Sequence, residues 1–131
     1  MKTLIVEDEF TGRAVLLKIL SGFGDCHVAV DAEEAVEAFS DAFKASVPYD
    51  LICMDICLPG MSGIEAVKKV RDFEEAHGVL STYGVKVVMT TAVDRIHEVV
   101  NSFKSLCDGY LIKPIGAQAL FDKLQELGLP N

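Results

Sequence analysis

Short apolar runs alternate with helix-period segments five times along this chain, and few folds accommodate that order. The runs fall at about 3–6, 26–30, 50–54, 85–90 and 109–112. Stretches such as Leu51-Ile52-Cys53-Met54 and Tyr110-Leu111-Ile112 are continuously apolar, as strands covered on both faces must be. Between them, Leu16, Ile19, Leu20 and Phe23 recur at helical spacing, as do Ala32, Ala35, Val36 and Phe39. Ile96, Val99, Val100, Phe103 and Cys107 extend the pattern, and Ala117, Leu120, Phe121 and Leu124 repeat it near the end. A less regular helix is predicted over 62–76, with Ile64, Val67 and Val70 inward and Ser62 and Glu65 as a capping box. The expected fold is α/β: a doubly wound, five-stranded parallel sheet with five helices.

A length of 131 residues suits one domain, so residues 1–131 are expected to form a single unit with no effector domain. No apolar run approaches the roughly 20 residues of a membrane span, and Met1-Lys2-Thr3 leads into a strand without a signal-peptide pattern, so a cytoplasmic protein is expected. The formal net charge of −8 argues against nonspecific binding to nucleic acid or an anionic membrane. Cys26, Cys53, Cys57 and Cys107 are scattered without a CxxC and read as reduced thiols. His27, His77 and His97 lack metal-site spacing and read as surface residues. The segment from His77 to Gly84 breaks the periodicity and is expected to be a surface loop.

The chemistry gathers where strands end. Glu7-Asp8, Asp55, Thr91-Ala92 and Lys113-Pro114 follow the first, third, fourth and fifth strands. In a parallel sheet those ends share one rim, which brings three acids and a cation together. Like charges held this close suppress one another's ionisation unless a cation compensates, so the cluster asks for a divalent metal and an anionic ligand. The combination of acid pair, lone aspartate, Thr-Ala and Lys-Pro resembles the response-regulator receiver domains over essentially the whole chain.

That resemblance implies a flavodoxin-like sheet of strand order 2-1-3-4-5 and a phosphorylatable signalling switch rather than a metabolic enzyme, one that catalyses its own phosphorylation and dephosphorylation. It implies Asp55 as phosphoacceptor, Mg²⁺ as cofactor, and Glu7, Asp8, Asp55 and the Cys57 backbone carbonyl around the metal. A hard Mg²⁺ prefers those oxygens to the cysteine thiol. Glu7 stands where aspartate is commoner in the family. Lys113 would contact the phosphoryl oxygens, Thr91 would bond one of them through its hydroxyl, and Tyr110 would be the aromatic switch residue. Thr90 lies on the opposite face from Thr91, and a one-residue change of register would exchange the two. The phosphoryl donor would be a histidine kinase or a histidine phosphotransfer protein. The downstream protein target would bind a face made of Val93, Ile96, Tyr110 and the last helix. The alternative reading is a magnesium-dependent phosphohydrolase with an aspartyl-phosphate intermediate. Enzymes of the haloacid dehalogenase type carry an acid/base aspartate two residues after the nucleophile, where this chain has Cys57. A flavodoxin-like electron carrier needs a phosphate-cradling first loop, which Glu7-Asp8-Glu9 would repel.

Overall fold

The computed structural model describes residues 1–80, 83–103 and 106–129. Five parallel strands, β1 (Thr3–Val6), β2 (Cys26–Ala29), β3 (Leu51–Asp55), β4 (Lys86–Thr91) and β5 (Gly109–Ile112), form one sheet in the order β2-β1-β3-β4-β5. Helices α1 (Phe10–Leu20), α2 (Ala32–Lys44), α3 (Gly63–Ala76), α4 (Ile96–Phe103) and α5 (Ala117–Glu126) link and cover them. This is the flavodoxin-like doubly wound fold.

Strand alternation divides the core in two. Leu4, Val6, Ile52, Met54, Val87 and Met89 point to one face, where Ala35 and Phe39 of α2, Val67 and Val70 of α3 and Val99 of α4 pack on them. Ile5, Leu51, Cys53, Val88 and Leu111 point to the other, against Leu16 and Leu20 of α1 and Leu120 and Leu124 of α5. Among the described residues no helix is long and apolar enough to cross a membrane.

Several boundaries differ from the sequence reading. β3 and β4 each run one residue further, because the Ile56 N–H donates to the Thr90 carbonyl at 3.1 Å and carries the ladder past Met54. Phe23 is not in α1: the helix ends at Leu20, a tight 3₁₀ turn follows over Ser21–Phe23, and the Phe23 ring meets Phe121 edge-on at 5.5 Å. Val100 was expected inside but is exposed, because in α4 the buried Val99 faces the sheet and its neighbour is turned about 100° away. Ala117, at the open first turn of α5, is exposed too. The side chain of Phe103 and residues 81–82 of the predicted 77–84 loop lie outside the described residues. Ser62 caps α3 by accepting the Glu65 N–H at 3.2 Å, and Asp31 caps α2 by accepting from Glu34 at 2.7 Å.

The inner side of α3 also carries charge, at Arg71 and Glu74, which continue the spacing of Val67 and Val70. The buried Arg71 guanidinium donates to Glu74 Oε1 (2.7 Å), to the Val85 carbonyl (2.7 Å), to Asp108 Oδ2 (2.9 Å) and to the Leu106 carbonyl (3.0 Å). Glu74 Oε2 in turn accepts the Val85 N–H, and Asp108 Oδ2 the Val87 N–H. Leu106 sits at φ 85°, an unfavourable conformation for leucine, and the contact to Arg71 helps hold it there. The cluster ties α3 to the starts of β4 and β5, at the end of the sheet remote from Asp55. Replacing Arg71 by leucine strands Glu74 and three further acceptors; urea unfolding should show a loss of about 3 kcal/mol.

Candidate metal centre and reactive carboxylate

Register brings the charged side chains together. Val6 pairs with Met54, so Glu7, one residue on, stands beside Asp55. Asp55 pairs with Thr90, and Thr90 with Leu111, two residues before Lys113. Alternation then places Glu7, Asp55, Thr90 and Lys113 on the α1/α5 side of the sheet, in line with Ile5, Cys53, Val88 and Leu111. Lys113 Nζ reaches Glu7 Oε1 at 2.9 Å and Asp55 Oδ2 at 3.2 Å. Glu7 and Asp55 are 1% and 4% exposed, so the two carboxylates share one partly buried cation. The other Asp55 oxygen accepts the Cys57 N–H at 3.2 Å. Lys113-Pro114 is a cis peptide bond.

Two glycines make room for this arrangement. A Cβ at Gly12 would run into Glu7 Oε1, so a larger residue there would displace that carboxylate from the place it occupies. A Cβ at Gly63 would run into the Asp55 carbonyl oxygen, where the Gly63 N–H bonds Ile56 and draws α3 onto the end of β3.

Carboxylate oxygens of Glu7, Asp8 and Asp55 lie within 4.8 Å of one another, the only such group among the described residues. Asp8 is exposed, and its backbone carbonyl accepts from Arg13 at 2.9 Å. Glu7 Oε2 is buried without a hydrogen-bond partner among the described residues. A hard oxygen-seeking cation such as Mg²⁺ fits this set, since it needs oxygen donors, negative charge and room to keep water. Burial, reinforced by the adjoining Asp55 carboxylate, pushes the Glu7 carboxyl up to about 8 despite Lys113. Burial opposes the charge on Lys113 as well, but the Glu7 hydrogen bond and the charges of Asp55 and Glu7 outweigh it and raise the ammonium above its ordinary value.

Thr91 and Tyr110 stand apart from this cluster. Thr91 is buried, belongs by alternation to the α2/α3/α4 side, and donates its hydroxyl to the Ala92 carbonyl at 3.1 Å. Tyr110 is half-buried and packs against the core of that same side. Cys57 is exposed, and all three histidines are exposed. The sequence reading separated Thr90 from Thr91 correctly but did not see that Asp55 shares the face of Thr90. That placement follows from the register between β3 and β4, which the continuously apolar runs do not encode.

Residues 3–125 match the response regulator receiver domain family. The chain belongs to that family. It is 30% identical over 127 residues to a chemotaxis protein CheY homolog of Campylobacter jejuni, spanning 97% of this chain and 92% of the relative. It is 31% identical over 128 residues to chemotaxis protein CheY1 of Helicobacter pylori, at 95% and 94% coverage. A chain in the co-crystal structure of the Saccharomyces cerevisiae histidine phosphotransfer protein Ypd1 with the receiver domain of Ssk1 superposes with a TM-score of 0.83 and 34% identity, over 98% of this chain and 88% of that one. The Vibrio cholerae chemotaxis protein CheY4 gives 0.76 at 27% identity, over 96% and 97%. As a receiver domain of this type, the chain is a phosphorylatable two-component switch.

The metal-free site carries a pH signature. With its pKa raised from 4.5 to about 8, Glu7 holds a proton in the folded protein that the unfolded chain releases, so this contribution to stability is lost as pH rises through that window. A divalent cation favours the ionised form, so the rise in melting temperature given by saturating Mg²⁺ should grow between about pH 6 and pH 9. Glu7→Gln should flatten that growth; calorimetry with and without Mg²⁺ measures both.

Proposed function

We propose that Asp55 is the phosphoacceptor of this switch and takes its phosphoryl group from the phosphohistidine of a histidine kinase or histidine phosphotransfer protein. The observation that carries the reading is the placement of one buried carboxylate at the sheet rim, in contact with Lys113 and the Cys57 N–H and beside the acid cluster. A carboxylate can act as nucleophile without a general base. One of its oxygens attacks phosphorus, the bond from phosphorus to the donor imidazole breaks, and that nitrogen keeps the electron pair and takes a proton. Lys113 needs only a small swing from Glu7 to meet the incoming phosphoryl oxygens. Glu7, Asp8, Asp55 and the Cys57 carbonyl would hold Mg²⁺, which when bound offsets the repulsion between two anions. Because the chain's own residues supply nucleophile, cation and metal ligands, a small acyl phosphate should serve as donor, and the same residues should promote hydrolysis of the product.

Thr91 is the hydroxyl drawn toward the new phosphoryl group, and Tyr110, packed on the same side of the sheet, follows into the space vacated. The output face is then α4, β5 and α5, where Val100, Ile112 and, in the turn just before α4, Val93 are exposed apolar residues that a protein partner can cover. The net charge of −8 supports a protein partner over nucleic acid, and four scattered cysteines without a CxxC suit a cytoplasmic setting. Labelling by a small acyl phosphate with Mg²⁺, read by intact mass, should succeed in the wild type and vanish in Asp55→Asn. Thr91→Ala should still be labelled but lose most of the change in partner affinity.

Hydrolysis needs a water in line with phosphorus. The exposed residues at the mouth, two beyond Asp55 and two beyond Thr91, are Cys57 and Val93, and neither orients water well. The phosphorylated state should therefore be long-lived, suited to sustained signalling or a phosphorelay. Cys57→Asn with Val93→Glu should shorten its half-life by about tenfold. Phosphate release followed over time checks this, and equal or slower loss in the double variant would remove water access as the control.

A further inference from the structure

Thr90 plays no part in the functional reading above, yet the fold places it at the centre of the site. It pairs with Asp55 across β3 and β4 and shares its face with Glu7, Asp55 and Lys113. It is 1% exposed, and its hydroxyl has no hydrogen-bond partner among the described residues. A buried hydroxyl left unpartnered is unfavourable, and valine has nearly the same shape without that cost. Lys113 leaves β5 to reach Asp55 on β3 and Glu7 beyond β1, so its side chain crosses the end of β4. The β4 residue on that face is Thr90. Thr90, Glu7 and Lys113 also line one cavity of about 340 Å³, walled by Val15, Leu16 and Ile115.

An ammonium carries three N–H donors. In this structure two have protein acceptors, Glu7 Oε1 and Asp55 Oδ2. We propose that the Thr90 hydroxyl is a reserve acceptor for Lys113, engaged when Glu7 turns to the divalent cation and its oxygen is lost to the ammonium. With Thr90 in that place, Nζ stays fixed over β4 and aimed at the phosphoryl oxygens; without it, the ammonium swings into the cavity. Thr90 is thus a positioning residue that acts through Lys113. Its hydroxyl is idle in the resting protein and bonded in the loaded one, so its favourable interaction falls on the reacting state. This inference rests on the assignment of Asp55 as phosphoacceptor.

The test compares wild type, Thr90→Val, Thr90→Ser and Asp55→Asn as full chains. Three quantities are read: melting temperature without metal, affinity for beryllofluoride with Mg²⁺ by fluorescence or NMR titration, and the rate of labelling at saturating acetyl phosphate. Thr90→Val should melt at or above the wild-type temperature, bind beryllofluoride about tenfold more weakly and label about tenfold more slowly. Thr90→Ser, which keeps the hydroxyl, should lie within about twofold of wild type in binding and rate. Wild-type binding and labelling in Thr90→Val would overturn the proposal, as would a Thr90→Ser variant as impaired as Thr90→Val. If the wild type itself is not labelled, or Asp55→Asn is labelled equally, the phosphoacceptor assignment has failed instead.

Discussion

Two carboxylates, Glu7 and Asp55, are removed from water at the rim of a parallel sheet with one lysine between them. Burying one ionised acid is costly, and burying two side by side adds their repulsion. Lys113 offsets part of this, and a proton retained on Glu7 offsets more. Glycine at position 12 gives the Glu7 carboxylate the space it occupies, and the close approach of α3 at Gly63 locks the end of β3 that presents Asp55. The site is therefore balanced only provisionally. A divalent cation can replace the proton, and a phosphoryl group can take over the lysine.

The two ends of the sheet treat charge in opposite ways. At the end where β4 and β5 begin, Arg71, Glu74 and Asp108 satisfy one another and the surrounding backbone, and such a closed network serves to hold α3, β4 and the approach to β5 in place. At the end where the strands finish, Glu7 Oε2 and Thr90 Oγ1 have no partner among the described residues, and neither has Thr3 Oγ1 at the start of β1. What distinguishes the Glu7 and Thr90 atoms is that they lie beside an acid cluster able to hold a metal.

The two faces of the sheet divide the residues of this rim. Asp55, Thr90 and Lys113 belong to the α1/α5 side, whereas Thr91 and Tyr110 belong to the other. Thr91 is the last residue of β4. The adjacent threonines at that point give the strand a hydroxyl on each face.

Much of this was legible in the chain itself. Continuous apolar runs and helical periods specify their elements locally, so the five strands, the five helices and the acids and lysine at strand ends could be read without a structure. Local patterns fail where the deciding partner is distant in sequence. Arg71 and Glu74 fall on the inward face of α3 by spacing, but the groups that satisfy their charge, at Asp108 and Val85, come beside them only in the fold, and Val100 looks apolar enough for the core until Val99 takes the inward position. Which threonine faces Asp55 depended on the register between β3 and β4, a relation between segments 35 positions apart that no periodicity within either strand encodes. The sequence by itself determined the elements and the chemistry available at their ends. Only the tertiary structure decided which of those groups share a face, because burial and charge compensation act between chain segments that meet nowhere but in the fold.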